Sequence, residues 1–156
     1  MNIIISLLLK NKNKCNLRTG YEKREYIQFE ENGHKVKYKL QEANGESGSV
    51  KAQDVKPEVK ENTIWHKQIF PDVDLRSIVF HTSVKEDIVL QKYTGHNVFH
   101  YEIQTDLDAK QQDDGSIVFQ DQKQTTLFTL PKPTMSDSNV NPESGKQILL
   151  KMLHTQ

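Results

Sequence analysis

The stretch YIQFEENGHKVKYKL, residues 26–40, decides how this chain is read. Asn32-Gly33 stands between two alternating runs, and Asn-Gly is favoured in the two-residue type I′ turn, where both central residues need positive φ. With that turn in place Phe29 faces Val36 and Ile27 faces Tyr38 on one side, while Glu30 faces Lys35 on the other. Turn chemistry, apolar pairs and an opposite-charge pair select one register, and a slip of one residue would send the apolar set to the wrong face. The stretch predicts an antiparallel hairpin with one buried side.

The same period of two continues outward. In VFHYEIQT, Phe99, Tyr101 and Ile103 share one face and His100, Glu102 and Gln104 the other, the pattern of a half-buried strand. TIWHKQIFPDVDLRSIVF predicts strands over 64–67 and 75–81 about a turn at Pro71-Asp72, and further strands follow over 87–90, 116–120 and 125–130. Pairing Gln120 with Thr125 would set Val118 against Leu127 and Ile117 against Phe128. IVF and LFTL are apolar on both faces and so call for a second layer. QEANGESGSVKAQDVKPEVKEN is polar, punctuated by Gly and Pro, and reads as a long surface loop with an edge strand near Val50. At the C-terminal end Ser144 could cap GKQILLKML, where Ile148/Met152 and Leu149/Leu153 have helical spacing. The fold class is therefore mainly β: an antiparallel β-sandwich or stacked β-meander of about seven to nine short strands, with short terminal helices possible. Three parts follow: an N-terminal segment 1–20, a β-rich module 21–135, and a polar turn with a short helix or tail over 136–156.

Composition bounds what such a fold can do. The 156 residues make about one domain. The apolar share is 35%, roughly 39% once the 7 Gly are added, against a usual ~45–50%, so the core is thin. With 21 Lys+Arg and 21 Asp+Glu the chain lacks the basic excess of a free-standing nucleic-acid binder. The run IIISLLL over 3–9 falls far short of the ~20 apolar residues of a membrane helix. Met1 and Asn2 put no Lys or Arg before it, and KNKNK follows, so no convincing signal peptide opens the chain. Cys15 is the only cysteine, which excludes an internal disulfide and a four-cysteine zinc site.

Candidate chemistry is sparse. His96 and His100 would stand ~13 Å apart on a strand, too far to share an ion. DSNVNPESG, 137–145, has oxygen ligands at alternate positions, but Pro142 stands where a calcium loop needs Gly and Ile148 where it needs Glu. The pairs Asp72/Asp74, Asp106/Asp108 and Asp113/Asp114 fall in or beside turns, where Asp is favoured for backbone reasons. No nucleophile elbow, phosphate loop, dinucleotide fingerprint or zinc-protease motif occurs. The expectation is no catalytic residue, no metal, no cofactor, and a chain that is not an enzyme. Trp65 and Tyr93 are the candidate ligand or partner contacts, able to line a carbohydrate groove, although a single Trp in a thin-cored β domain is more often core.

Several spaced motifs in fixed order carry a resemblance. They are Phe-Pro-Asp-Val-Asp-Leu (70–75), Lys-Glu-Asp (85–87), the hairpin from Asp113 that ends in Ser-Ile-Val-Phe (116–119), and Leu-Pro-Lys-Pro-Thr-Met (130–135). Over roughly 21–145 the chain resembles the N-terminal region of WapA-type cell-wall-associated proteins of Gram-positive bacteria that carry Rhs/YD repeats. The resemblance implies a secreted, wall-located parent that delivers a toxin, often a nuclease, in intercellular competition, with a β-rich N-terminal region and a repeat shell. Implied partners are the remaining domains of that parent and cell-wall polymer; the charge balance and the short apolar run add the expectation of no nucleic acid and no membrane span. No toxin active-site residue maps onto this chain, and QILLKMLHTQ departs from the family pattern, which reads as a fragment. The function expected is a non-catalytic structural and interaction module whose IVF and LFTL strands are short of cover when alone; the alternative is a stand-alone carbohydrate-binding or adhesive β-sandwich.

Overall fold

The structure, a computed structural model, describes residues 3–11, 26–137 and 149–155. Among them are fourteen strands and no helix. The first seven are β1 (Ile3–Asn11), β2 (Ile27–Glu31), β3 (His34–Gly45), β4 (Gly48–Lys51), β5 (Glu58–Lys60), β6 (Thr63–Phe70) and β7 (Val73–Val79). The rest are β8 (Ser83–Leu90), β9 (His96–Thr105), β10 (Asp108–Gln111), β11 (Ile117–Gln120), β12 (Thr126–Leu130), β13 (Thr134–Asp137) and β14 (Leu149–Thr155).

The β2–β3 hairpin has the register its sequence demands. Ile27 pairs with Tyr38, Phe29 with Val36 and Glu30 with Lys35, while Asn32 and Gly33 hold φ of 51° and 79°. β3 continues through what reads as loop, to Gly45, and turns back into β4 near Val50. Its end lies so close to the start of β9 that a Cβ on Gly45 would sit 2.1 Å from the Gly95 carbonyl oxygen, so only glycine fits there.

The smaller sheet runs β14-β9-β3-β2, with β4 beside β2 along β3; the larger runs β10-β11-β12-β1-β8-β7-β6-β5, with β13 beside β12 along β1. All pairings are antiparallel except β14, which runs parallel to β9. The inward rows of the two sheets meet in one core. Phe29 of the smaller sheet meets Phe128 of the larger edge-on at 6.2 Å, and Phe70 of the larger meets Phe99 of the smaller at 6.3 Å. Phe29 also stacks on Tyr38 within its own hairpin.

Four expectations change. β1 extends the apolar N-terminal run into the middle of the larger sheet, between β8 and β12. Of the residues expected to form a C-terminal helix, those described, Leu149 to Leu153, belong to β14, because a short helix must meet its nucleation cost alone whereas β9 supplies ready backbone partners. Ser144 and most of the 137–145 turn lie outside the described residues, as does Cys15. Strand number exceeds the expected seven to nine because β5, β10 and β13 are short and carry no apolar alternation. Finally, β11 and β12 pair Ile117 with Leu130, Val118 with Thr129 and Phe119 with Phe128, then Gln120 with Thr126. Leu127 is the extra residue of a bulge, and the shift sets Phe119 against Phe128, both buried. Leu127, Phe128 and Leu130 are buried, so the chain itself covers most of LFTL, whereas in IVF Phe119 is buried and Ile117 and Val118 are half-buried.

The aromatic contact between the sheets yields a prediction. Phe29→Ala removes a wholly buried ring from both its hairpin and the inter-sheet contact, and should destabilise the chain by about 3–5 kcal/mol, read from the urea midpoint at unchanged m-value.

Candidate functional site

The outward face of the larger sheet, over β5–β8, holds the densest set of charged side chains around an aromatic. On β6 the residues two apart, Trp65 and Lys67, share this face; Arg76 lies directly across from Trp65 on β7, and Asp87 directly across from Arg76 on β8. Lys67 Nζ lies 3.8 Å from the centre of the Trp65 ring, and the Arg76 guanidinium carbon lies 5.3 Å from it. Arg76 donates to Asp87 from Nε at 3.0 Å and Nη2 at 2.5 Å, and Lys85 Nζ stands 3.3 Å from the same carboxylate.

The Phe-Pro-Asp-Val-Asp-Leu motif builds this face. Pro71 and Asp72, the latter at φ 61°, turn the chain so that Phe70 pairs with Val73, both in the core. Asp74 then accepts the Gln68 backbone N–H at 2.8 Å, Lys67 Nζ at 3.3 Å and Gln91 Nε2 at 3.1 Å. Those bonds pin the bulge in β6 where Lys67, Gln68 and Ile69 interrupt regular pairing, with Gln68 at φ 54°. The Lys-Glu-Asp motif serves both sides of β8: Asp87 takes Arg76 outside, and Glu86 accepts the Ser77 hydroxyl at 3.1 Å inside.

That inner side brings His66, Ser77 and Glu86 near one another, the residue types of a hydrolytic triad. Ser77 lies across from Glu86 and diagonal to His66, and all three are buried. Ser77 gives its hydroxyl proton to Glu86, and at 1% exposure it offers no approach to a substrate, so the three form part of the interior. Sequence reading missed them because their juxtaposition depends on two strand registers.

The smaller sheet carries a second polar centre on its outward face. Glu102 accepts Tyr26 Oη and Gln41 Nε2, each at 2.7 Å, and Gln104 Nε2 at 2.9 Å. These bonds hold its carboxyl below the usual carboxylate range, the Tyr26 hydroxyl foremost and Gln104 next; burial opposes them, and Gln41 and the Lys39 charge add to them.

The two expected contact residues lie on different elements. Trp65 is half-buried at mid-strand, outside the core, and the ring face that Lys67 covers is closed to a sugar. Tyr93 is half-buried in the connection from β8 to β9. Among the described residues no group of three or more His, Cys, Asp or Glu could hold a metal ion. Of the acidic pairs, Asp114 accepts the Ser116 N–H and hydroxyl in the β10–β11 turn, and Asp106 accepts the Lys35 N–H and pairs with His34 at 2.7 Å. No described helix is long and apolar enough to cross a membrane.

No family model matches the chain. It is 44% identical over 137 residues to a wall-associated protein of Geobacillus stearothermophilus, a match covering 83% of this chain and 54% of that one. It is 43% identical over 124 residues to the tRNA nuclease WapA of Bacillus subtilis and to the tRNA3(Ser)-specific nuclease WapA of Bacillus spizizenii, covering 78% of this chain. This chain is a homologue of the WapA-type wall-associated proteins. It spans 5% of the length of the two WapA nucleases and about half of the Geobacillus protein. Among solved structures a cowpox CPXV203 chain in complex with MHCI matches at 10% identity and a TM-score of 0.28, covering 86% of this chain and 71% of that one.

The WapA names correct one expectation. The chain was expected not to be an enzyme because familiar catalytic motifs are absent, yet relatives at 43% identity are named nucleases. Catalytic groups are recognised by geometry and role and not by sequence position, so missing motifs were a weak guide.

Two predictions follow from the polar centres. Arg76→Ala strips two hydrogen bonds from a wholly buried Asp87 and should cost about 3 kcal/mol in equilibrium unfolding. Because the folded Glu102 carboxyl titrates low, its contribution to stability is complete above about pH 4.3, the ordinary glutamate value, and is lost as pH falls through the folded value. Glu102→Gln should therefore flatten the acid limb of the unfolding midpoint against pH, and an unaltered limb would refute that role.

Proposed function

We propose that the chain is a structural and interaction module of a secreted WapA-type Rhs-repeat protein that delivers a toxin in competition between cells. The observation that carries this reading is the 44% identity, over 83% of the chain, to a protein named for its association with the wall. The motifs shared with that family are fold-forming, which suits a scaffold: the 70–75 motif makes the β6–β7 turn and pins the bulge, and the 130–135 motif leads β12 into β13 along β1. The tRNA nuclease activity named for relatives is proposed for a full-length parent, to whose wall-facing framework this module contributes. Its partners are the other domains of that parent and the polymer of the wall.

The test uses the whole chain. Purified walls of a Gram-positive bacterium, and separately the remainder of the Geobacillus relative, are incubated with it and sedimented or captured. Retention on one or both is expected, and retention on neither removes the reading.

A further inference from the structure

On the outward face of β5–β8 the two signs of charge lie at different depths. The acids are sunk, with the Asp74 side chain 5% and the Asp87 side chain 0% exposed, while their partners Lys67, Arg76 and Lys85 are 46%, 26% and 36% exposed. Each carboxylate therefore acts as a fixed base plate that holds cationic heads outward. The Trp65 ring adds a flat support beneath Lys67 and Arg76. Glu58, opposite Trp65, is the one exposed acid on this face of these four strands, and Lys60 beside it is exposed as well.

Register sets the spacing of the cations. Asp74 and Arg76 alternate on β7, with Lys67 beside Asp74 and Lys85 across from Ile78, so Lys67, Arg76 and Lys85 lie on one diagonal across three strands. Diagonal neighbours in a sheet stand about 7–8 Å apart at the backbone, and the Arg76 and Lys85 heads draw together beyond that because both meet the same Asp87 carboxylate. The cations also retain hydrogen-bonding capacity: an ammonium has three protons and a guanidinium five, of which the buried acids use only some.

We propose that the Lys67–Arg76–Lys85 diagonal is a docking track for a linear polyol-phosphate polymer of the bacterial wall, its phosphates meeting the three cationic heads in turn. This rests on the wall-module reading and names the wall component. Nucleic acid also offers a line of phosphates, but the Trp65 ring face that would stack a base carries Lys67 at 3.8 Å, which disfavours a ligand with bases and leaves one without them unaffected.

The probe is poly(glycerol phosphate), titrated into the full chain by calorimetry at several salt concentrations. Three phosphate contacts to a flexible single chain give a log–log salt slope of about −2. Lys67→Gln and Lys85→Gln should each weaken binding several-fold, and the double variant more than tenfold with the slope reduced to about −0.7. Lys110→Gln, on β10 at the opposite edge of the sheet, should bind like the parent chain. Circular dichroism and thermal midpoints show whether each variant is folded. Unchanged affinity in a folded double variant overturns the proposal, as does tRNA competing at equal phosphate concentration as well as the polyol phosphate. Walls stripped of their phosphodiester polymer separate the two readings. Binding that survives stripping overturns this track and leaves the wall module standing, whereas no binding to intact walls overturns this track and the wall polymer as a partner, leaving the other domains of the parent.

Discussion

The larger sheet is continuous because β1 runs through its middle. One edge of β1 pairs with β8 from Ile3 to Lys10, and its other edge pairs first with β13 and then with β12. Without it the group β5–β8 and the group β10–β12 would each expose an unpaired edge, with its backbone donors and acceptors unmet. The ends of the sheet that remain open are the short, charged strands β5 and β10, which are poor templates for further pairing. The core depends on the same strand, since β8 and β12 must share one sheet for Ile88, Leu90, Phe128 and Leu130 to lie over the smaller sheet together.

Charge in this protein is organised by depth. Zero net charge conceals an outward face over β6–β8 whose acids, Asp74 and Asp87, are buried and whose bases, Lys67, Arg76 and Lys85, reach solvent. A buried carboxylate is tolerated only when hydrogen bonds and opposite charge offset its desolvation, and Asp87 and Asp74 each have both. Those bonds also organise the backbone: Asp74 holds the β6 bulge that lets Ile69 and Phe70 both enter the core. A motif that serves turn, bulge and surface charge at once joins the stability of the sheet to the face it presents.

How far these features could be read in advance depended on their range along the chain. The register of the β2–β3 hairpin was legible, though not the length of β3, because turn residues, alternation and charge pairing lie within fifteen residues of each other. The inward row of Phe99, Tyr101 and Ile103 was legible for the same reason, and all three are buried. The β11–β12 register was not, because a bulge at Leu127 answers to the fit of Phe119 against Phe128 and not to the turn. Trp65 was picked out as a contact residue, but its neighbours Arg76 and Asp87 could be found only by stepping across two registers.

By itself the sequence determined that the chain is mainly β, where its tight turns fall and which rows turn inward, since φ preferences and a period of two act over a few residues. Tertiary structure decided the rest. The terminal runs have apolar content but no period that excludes helix or loop, and they became β1 and β14 because β8, β12 and β9 had backbone edges to satisfy. The depth at which each charge sits was settled in the same way, by which strand lay beside it in the finished sheet.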